Sequence, residues 1–233
     1  MSLDFDSARL PNKNLTPEHH EWRAQLRRFI DREIMPYAED WDESGSIPQE
    51  LWPKAAEVGL LGMGYPEEFG GVTEGIDLWH GIIVNEEMAR VAVGGVAATL
   101  LVHGIGLPPV INFGSDAIKQ MVAPPVLAGT KRISLAITEP GGGSDVAQLQ
   151  TTARLDGDHY VVNGQKIWTS RALQSDLMLL LARTTPVEQV RKRTEGLSVF
   201  LVDLRAARGN GCEIRPIPTM INHNTTEVFF DDL

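Results

Sequence analysis

The spacing of the hydrophobic residues changes near Gly129, and this change constrains the fold more than any other feature of the sequence. In the segment 22–34 apolar residues recur at helical spacing, whereas in 133–137 they alternate with smaller residues. Helical spacing indicates an amphipathic helix, and strict alternation indicates a half-buried strand. A helical block followed by strands is typical of an α+β fold. We therefore expect an all-α domain over 1–128 and a strand-rich domain over 129–233.

Capping residues and breakers divide the first domain into helices. Thr16 is a good N-cap residue, and Pro17 is well placed at the first helical position. Pro124 and Pro125 are expected to interrupt the last helix, because proline lacks the backbone N–H that a helix interior needs. The predicted helices begin at Pro17 and lie within Gln49–Val58, Leu78–Val91, Gly94–His103, Leu107–Phe113 and Asp116–Leu127.

Two turn signals organise the second domain. Asp156-Gly157-Asp158 and Asn163-Gly164 each contain a dipeptide that accepts the positive φ of a tight hairpin turn. We therefore predict consecutive antiparallel strands that turn at both places. The predicted strands are Ile133–Ile137, Thr151–Leu155, His159–Val162, Gln165–Thr169, Leu177–Ala182, Leu197–Val202, Cys212–Ile217 and Glu227–Phe230.

Charge and residue counts exclude several functions. The formal net charge is −10, from 31 acidic and 21 basic side chains, which argues against nucleic-acid binding. A single cysteine, Cys212, excludes an intramolecular disulfide framework and a cysteine-based metal cluster. The six histidines, at positions 19, 20, 80, 103, 159 and 223, are scattered along the chain without a ligand pattern, so we expect no metal site.

The sequence also bears on location. We find no apolar run that approaches the roughly 20 residues of a membrane-spanning helix, so no membrane association is expected. Residues 1–10 lack the basic and apolar regions of a signal peptide. The expected location is the cytoplasm.

The segment Thr138–Asp145, TEPGGGSD, follows the first predicted strand and contains three consecutive glycines. Glycine removes the Cβ barrier to a sharp turn and to close approach by a ligand, and successive N–H groups can hold an anion. The segment matches neither the P-loop nor the GxGxxG fingerprint, and Ser144 is not in a GxSxG elbow. By composition alone it is a pyrophosphate site, a site for the polar edge of a flavin, or a flexible surface loop.

A second segment, Gln165–Ser170, contains Trp168 at the end of the second predicted hairpin. A tryptophan on a strand offers a flat face that can stack on an aromatic ring system, although most such residues belong to the core. The hydroxyl groups of Thr169 and Ser170 are then placed to reach a heteroatom at the ring edge.

Together these segments carry a resemblance to a known family. TEPGGGSD followed by NGQKIWTS is very similar to the paired signatures of the acyl-CoA dehydrogenases. Tyr65–Gly71, the helix around Glu86–Arg90 and the segment Glu227–Asp232 also match in order and spacing. The resemblance implies an N-terminal helical domain, a middle domain that is an antiparallel β-barrel, and a C-terminal four-helix domain.

The resemblance also implies which residues bind FAD. Gly143 and Ser144 are expected near the cofactor phosphates, with Ser144 also at the acyl-CoA entrance. Trp168 is expected to pack against the isoalloxazine, and Ser170 to address the ring near N5. The full set of expected cofactor-binding residues is Leu135, Ile137, Thr138, Gly143, Ser144, Trp168, Thr169 and Ser170.

The reaction of the family is the α,β-dehydrogenation of an acyl-CoA thioester, as in fatty acid β-oxidation and related lipid metabolism. A glutamate removes the α-proton, the β-hydrogen leaves as hydride to flavin N5, and electrons pass to electron-transfer flavoprotein. Family members continue beyond the position of Leu233 into the domain that carries this glutamate. We therefore assign no catalytic residue and expect a homo-oligomer, or a heteromer whose partner supplies the missing domain.

Three readings remain open at this point. The chain is either part of such an enzyme or a non-catalytic subunit that binds flavin or acyl-CoA, and the monooxygenase branch of the same architecture is a third reading.

Arg171 stands where the family usually has glycine or asparagine, so a cation is expected beside the flavin edge. The cluster Arg191–Arg193 is a solvated loop tip or a phosphate contact.

Overall fold

The structure is a computed structural model that describes residues 10–220 and 224–233. The described chain forms two compact units, one of residues 10–101 with 110–130 and one of 102–109 with 131–220 and 224–233. The prediction that the chain has no signal peptide concerns residues 1–10, and 1–9 lie outside the described ranges. His223 also lies outside them.

The first unit is helical, as the sequence predicts. The helix α1 begins at Pro17 behind Thr16, whose side chain accepts a hydrogen bond from the backbone N–H of His19. The helices of the chain are α1 (Pro17–Glu33), α2 (Ala38–Ser44), α3 (Leu51–Glu57), α4 (Leu78–Ala89), α5 (Gly94–Leu100), α6 (His103–Phe113), α7 (Asp116–Leu127) and α8 (Leu204–Ala207). The core of this unit includes Leu26, Phe29, Ile30, Trp52, Leu61 and Leu100.

Two helical details differ from the prediction. The helix α7 continues through Pro124 and Pro125 instead of being interrupted there. Each proline leaves the carbonyl four residues earlier without a helical donor, and those carbonyls belong to Gln120 and Met121, which are exposed, so water can replace the donor. The helix α2 was not predicted.

The expectation of no long apolar segment was wrong. The stretch Gly94–Phe113 is 20 residues long and apolar enough to cross a membrane by length and composition alone. In the structure this stretch comprises two helices, α5 and α6, and is partly buried. The core helices of soluble proteins pass the same test, so the segment is weak evidence for a membrane span.

The second unit contains a seven-stranded sheet in the order β1-β4-β2-β3-β7-β6, with β5 paired to β4 on the side of this path. The expectation of an antiparallel barrel was wrong, because β4 pairs in parallel with both β1 and β2, and no pairing joins the described end strands β1 and β6. The strands are β1 (Ile133–Ala136), β2 (Thr152–Asp156), β3 (His159–Ser170), β4 (Leu177–Arg183), β5 (Leu197–Asp203), β6 (Cys212–Pro216) and β7 (Thr225–Phe230).

The second predicted hairpin does not form. β2 and β3 do turn at Asp156-Gly157-Asp158, but Asn163-Gly164 lies inside β3, which runs without interruption to Ser170. Gly164 has φ 148°, and a Cβ there would lie 2.6 Å from Thr151. The glycine therefore serves close packing against a neighbouring segment and not a turn. The core beneath the sheet includes Ala136, Met178, Leu180, Val228 and Phe230.

Candidate functional site

The loop after β1 forms a tight turn at its start. The backbone N–H of Gly142 donates to the carbonyl of Glu139 at 3.1 Å, and Pro140 occupies the second position, where its fixed φ is suitable. Gly141, Gly142 and Gly143 have no positive φ, and added Cβ atoms at Gly141 and Gly143 would meet open space. The triplet therefore leaves one side of the loop clear and does not relieve backbone strain.

A buried ion pair fixes this loop to β3. Lys166 is fully buried, and its Nζ donates to Oε1 of Glu139 at 2.8 Å and to the carbonyl of Ile137 at 3.0 Å. The backbone N–H groups of Gln150 and Thr151 donate to the same carboxylate at 2.6 and 2.9 Å. Both oxygens of Glu139 thus accept hydrogen bonds from within the protein.

The pKa of Glu139 follows from these contacts. Burial alone raises the pKa of a carboxyl group, but the hydrogen bonds from Lys166, Thr151 and Gln150 outweigh burial and lower it. Glu139 is therefore an ionised structural anchor at neutral pH. This agrees with the sequence interpretation, which did not assign it as a catalytic base.

Trp168 lies where the regular pairing of β3 breaks down. The register of β3 against β7 shifts between Lys166 and Thr169, so Trp168 lies in a β-bulge, and its φ is 60°. A bulky residue in the left-handed region costs on the order of 1–3 kcal/mol, and such strain clusters at ligand-binding positions. Trp168 is 57% exposed. The core alternative for Trp168 is therefore excluded.

The bulge lies next to the loop. The backbone N–H of Ile167 donates to the carbonyl of Thr138 at 2.9 Å, which links the residue before Trp168 to the first residue of TEPGGGSD. Leu135, Ile137 and Thr138 are half-buried. Leu135 and Ile137 lie two residues apart, so both face away from the buried side chain of Ala136. The sequence-predicted residues of β1 and β3 are thus brought close together by backbone pairing.

Thr169 and Ser170 differ in accessibility. Thr169 is 2% exposed, and its buried Oγ1 has no hydrogen-bond partner among the described residues. The bulge offsets the alternation of side chains, so Thr169 is buried like Lys166, three residues before it. The structure therefore does not support the expected ligand contact of the Thr169 side chain. Ser170 is half-buried, and its expected contact near N5 stays a prediction.

The backbone conformation at Arg171 explains why relatives usually have glycine or asparagine at this position. Its φ is 61°, a left-handed conformation that glycine and asparagine adopt readily. Arg171 is 2% exposed, so its guanidinium lies inside the protein, and the expectation of a cation beside the flavin edge stays a prediction. Burial, followed by the nearby charge of Arg132, lowers the pKa of Arg171 to about 9, which leaves the group charged at neutral pH.

A cavity of about 410 Å³ opens beside the loop. It is lined on one side by Ile137 through Gly143 and on the other by Gly164 and Gln165. Of the predicted site residues, Ile137, Thr138 and Gly143 line this cavity, whereas Ser144 is exposed just outside it.

The basic cluster 191–193 reaches the same loop. Arg193 lies 3.5 Å from the carboxylate of Asp145, and both side chains are largely exposed. Arg193 also lines a second cavity of about 640 Å³, together with Gln148, Arg154 and Arg183. The cluster is thus a partly solvated loop that contacts the glycine-rich segment.

Sequence reasoning missed the Lys166–Glu139 pair. Val162, Gly164 and Lys166 share one face of a continuous β3, and the burial of Val162 marks that face as inward. A lysine on a buried face needs an anionic partner. The alternation was a usable signal, but it was hidden by the predicted turn at Asn163-Gly164.

The helical unit and the sheet unit together define an α+β protein. Its sheet unit carries an exposed and strained tryptophan, Trp168. A model of the acyl-CoA dehydrogenase N-terminal domain matches residues 16–130, and a model of the acyl-CoA dehydrogenase middle domain matches 134–233. The chain belongs to the acyl-CoA dehydrogenase family.

Individual relatives agree with this assignment. The long-chain specific acyl-CoA dehydrogenase of Sus scrofa is 33% identical over 219 residues, which are 93% of this chain and 49% of that protein. A probable acyl-CoA dehydrogenase from Mycobacterium abscessus is 38% identical, with a TM-score of 0.84 over 93% of this chain and 56% of that one. The FAD complex of PigA is 25% identical, with a TM-score of 0.83 over 96% and 57%. The chain thus spans about half the length of the relatives that it matches.

Proposed function

We propose that this chain binds FAD against Trp168 and the loop 138–145 and acts in the α,β-dehydrogenation of an acyl-CoA thioester. The observation that carries the proposal is the conformation of Trp168, a large aromatic residue held in left-handed backbone at a bulge and left 57% exposed. A protein that keeps such strain at an exposed aromatic ring gains from it when a ligand stacks on the ring.

The residues present fit a flavin. The indole of Trp168 offers an aromatic face, Thr138 and Ser170 offer hydroxyl groups near it, and the open side of Gly141 and Gly143 admits close approach. When bound, FAD supplies the acceptance of a hydride, which side chains cannot provide. This chain's own residues bind and orient the cofactor, and the Lys166–Glu139 pair holds the loop in place.

The substrate and the later electron acceptor follow from the family. Relatives are named as acyl-CoA dehydrogenases, which supports an acyl-CoA substrate, with Ser144 at its entrance. Because the chain spans about half of those proteins, the base is expected on a segment or subunit that this sequence does not include. Electron-transfer flavoprotein is proposed as the acceptor.

The test is retention of FAD after reconstitution and gel filtration. Trp168→Ala should lower the retained flavin, since stacking of aromatic rings is worth about 0.5–1.5 kcal/mol, or roughly a 2- to 10-fold change in Kd. Trp168→Phe should keep part of it. Tyr160→Ala is the matched control, because Tyr160 lies on the same strand and is 43% exposed. Retention that is equal in Trp168→Ala and the parent would refute the stacking role, and a parent chain that never holds FAD would refute the cofactor.

A second candidate is a non-catalytic subunit that binds flavin or acyl-CoA within a heteromer. The observation in its favour is that the chain spans about half the length of the relatives that it matches. Anaerobic addition of acyl-CoA distinguishes the two candidates. Bleaching of bound flavin supports the dehydrogenase, whereas a bound flavin that no acyl-CoA bleaches supports the subunit.

A further inference from the structure

Two helices of the first unit begin with the same unusual arrangement. In α1 the N-cap is Thr16 and the third helical residue is His19, and in α4 these positions are Asp77 and His80. In both, the histidine side chain lies against the backbone N–H of the N-cap residue, a place usually taken by Glu or Gln. The two helix starts therefore each carry an imidazole.

The imidazoles converge on one carboxylate. Nε2 of His19 and Nδ1 of His80 each lie 2.9 Å from Oδ1 of Asp77, and the ring centroids are 4.5 Å apart. His19 is 4% and His80 8% exposed, whereas the side chain of Asp77 is half exposed. One donor atom from each residue lies within 4.8 Å of the others. The sequence interpretation of scattered histidines did not foresee this cluster, because the two helices are distant in sequence.

The hydrogen-bond geometry at His80 calls for a positive occupant. Its Nδ1 lies 3.2 Å from the backbone N–H of Asp77, which needs a lone pair, and 2.9 Å from Oδ1, which needs a donor. A ring nitrogen has either a lone pair or a proton, so it cannot satisfy both contacts. A cation between Nδ1 and Oδ1 removes the repulsion between two lone pairs. It also takes the lone pair of Nδ1, so the backbone N–H of Asp77 then turns to water, which the half-exposed position of Asp77 allows.

We propose that His19, Asp77 and His80 form a binding site for a divalent transition-metal ion of the zinc type. Two imidazoles and one carboxylate are a set that Zn²⁺ accepts, with water as the fourth ligand. Bonds of about 2.0–2.1 Å in a tetrahedron place donors about 3.3 Å apart, so the 2.9 Å contacts need to open by a few tenths of an ångström. Asp77 is half exposed, but its Oδ1 also caps α4 by accepting from the backbone N–H groups of Trp79 and His80, so the opening must keep these two bonds.

The surroundings suit this ion. Imidazole nitrogen favours zinc and its neighbours over Mg²⁺ and Ca²⁺, which prefer oxygen. A metal on Nε2 of His19 requires the proton on Nδ1, which then donates to Oγ1 of Thr16, 3.0 Å away, as an outer-shell partner. The backbone N–H of the exposed Thr16, which otherwise donates to Nδ1, then turns to water. A cavity of about 290 Å³ lined by Glu18, Glu21 and His80 gives solvent access. The ion would join the starts of α1 and α4.

The test is titration of the metal-free whole chain with Zn²⁺ alone, by calorimetry and by thermal unfolding. His19→Gln and His80→Gln retain a residue suited to the third position of a capping box, and Asp77→Asn retains a good N-cap. These variants should therefore fold, which circular dichroism checks. His20→Gln is the matched control, since His20 is an exposed histidine on the same helix.

We expect one Zn²⁺ per chain, a higher unfolding temperature with Zn²⁺, and little response to Mg²⁺. Each of the three cluster variants should weaken Zn²⁺ binding by more than about 100-fold, beyond the cost of changing an outer-shell partner, while His20→Gln should not. Absence of Zn²⁺ binding would show that a proton occupies the cluster and would overturn the proposal. The proposal would also be overturned if the three variants bound Zn²⁺ as tightly as the parent chain, or if the parent bound Mg²⁺ as tightly as Zn²⁺.

Discussion

The buried pair of Lys166 and Glu139 allows a prediction whose size follows from the contacts. Removing one partner of a buried ion pair costs about 3–5 kcal/mol, because the other charge is left uncompensated. Glu139→Ala leaves a fully buried ammonium group that donates to the carbonyl of Ile137 and has lost its anionic partner, so the loss should lie near the top of that range. Lys166→Met leaves a carboxylate that still accepts from Gln150 and Thr151, so it should lie near the bottom.

A double-mutant cycle isolates the pair. The double variant Lys166→Met/Glu139→Ala removes both charges, so its loss should fall short of the sum of the single losses by about 2 kcal/mol. Native-state hydrogen exchange at the buried strand β4 assigns the loss to the sheet unit, which avoids assuming that both units unfold together. Arg154→Met is the control, because Arg154 and Asp156 form an exposed pair at 3.5 Å and should contribute less than about 1 kcal/mol. Single losses that add to within about 0.5 kcal/mol would refute the coupling.

Two further predictions concern acid and backbone strain. Because the pKa of Glu139 is lowered on folding, its stabilisation is complete above the unfolded value of 4.5 and is lost as the pH falls through the folded value. Urea denaturation between about pH 5 and about pH 3 should show a smaller loss in Lys166→Met than in the parent, and an equal loss would contradict the assignment. Separately, Ala92 is exposed with φ 58°, so Ala92→Gly should raise stability by about 0.5–1 kcal/mol in thermal unfolding. Ala98→Gly, inside α5, should lower stability by a similar amount, and a decrease in both would count against strain at Ala92.

The helical unit was the more predictable of the two from sequence. The start of a helix is determined by neighbouring residues, as Thr16 and Pro17 show. The first residue of α1 could therefore be predicted from the sequence. The positions of the strands were also read from the sequence. Apart from the hairpin of β2 and β3, the pairing partner of each strand was not. The parallel pairing of β1 with β4 joins Ile133 to Leu177, and nothing in either segment specifies the other.

The site was predictable in position but not in geometry. The segments 138–145 and 168–170 were selected as a candidate site from their composition together with their resemblance to the family signatures. The bulge at Trp168 and the interior role of Gly164 depend on packing against β7 and Thr151, which are distant in sequence. Local turn propensity at Asn163-Gly164 was overridden by that packing. Because a turn was predicted at Asn163-Gly164, the sequence did not show that Lys166 lies on the inward face of β3.

The place of β7 between β3 and β6 has a consequence for biosynthesis. Ser170, beside the bulge, pairs with Thr225, so the ladder that shapes the Trp168 segment is completed only when a much later stretch leaves the ribosome. Until then β3 presents an unpaired edge, the kind of surface that invites wrong strand addition. The ligand face is therefore among the last parts of this unit to be set, and slow translation after Ser170 would prolong its exposure to aggregation.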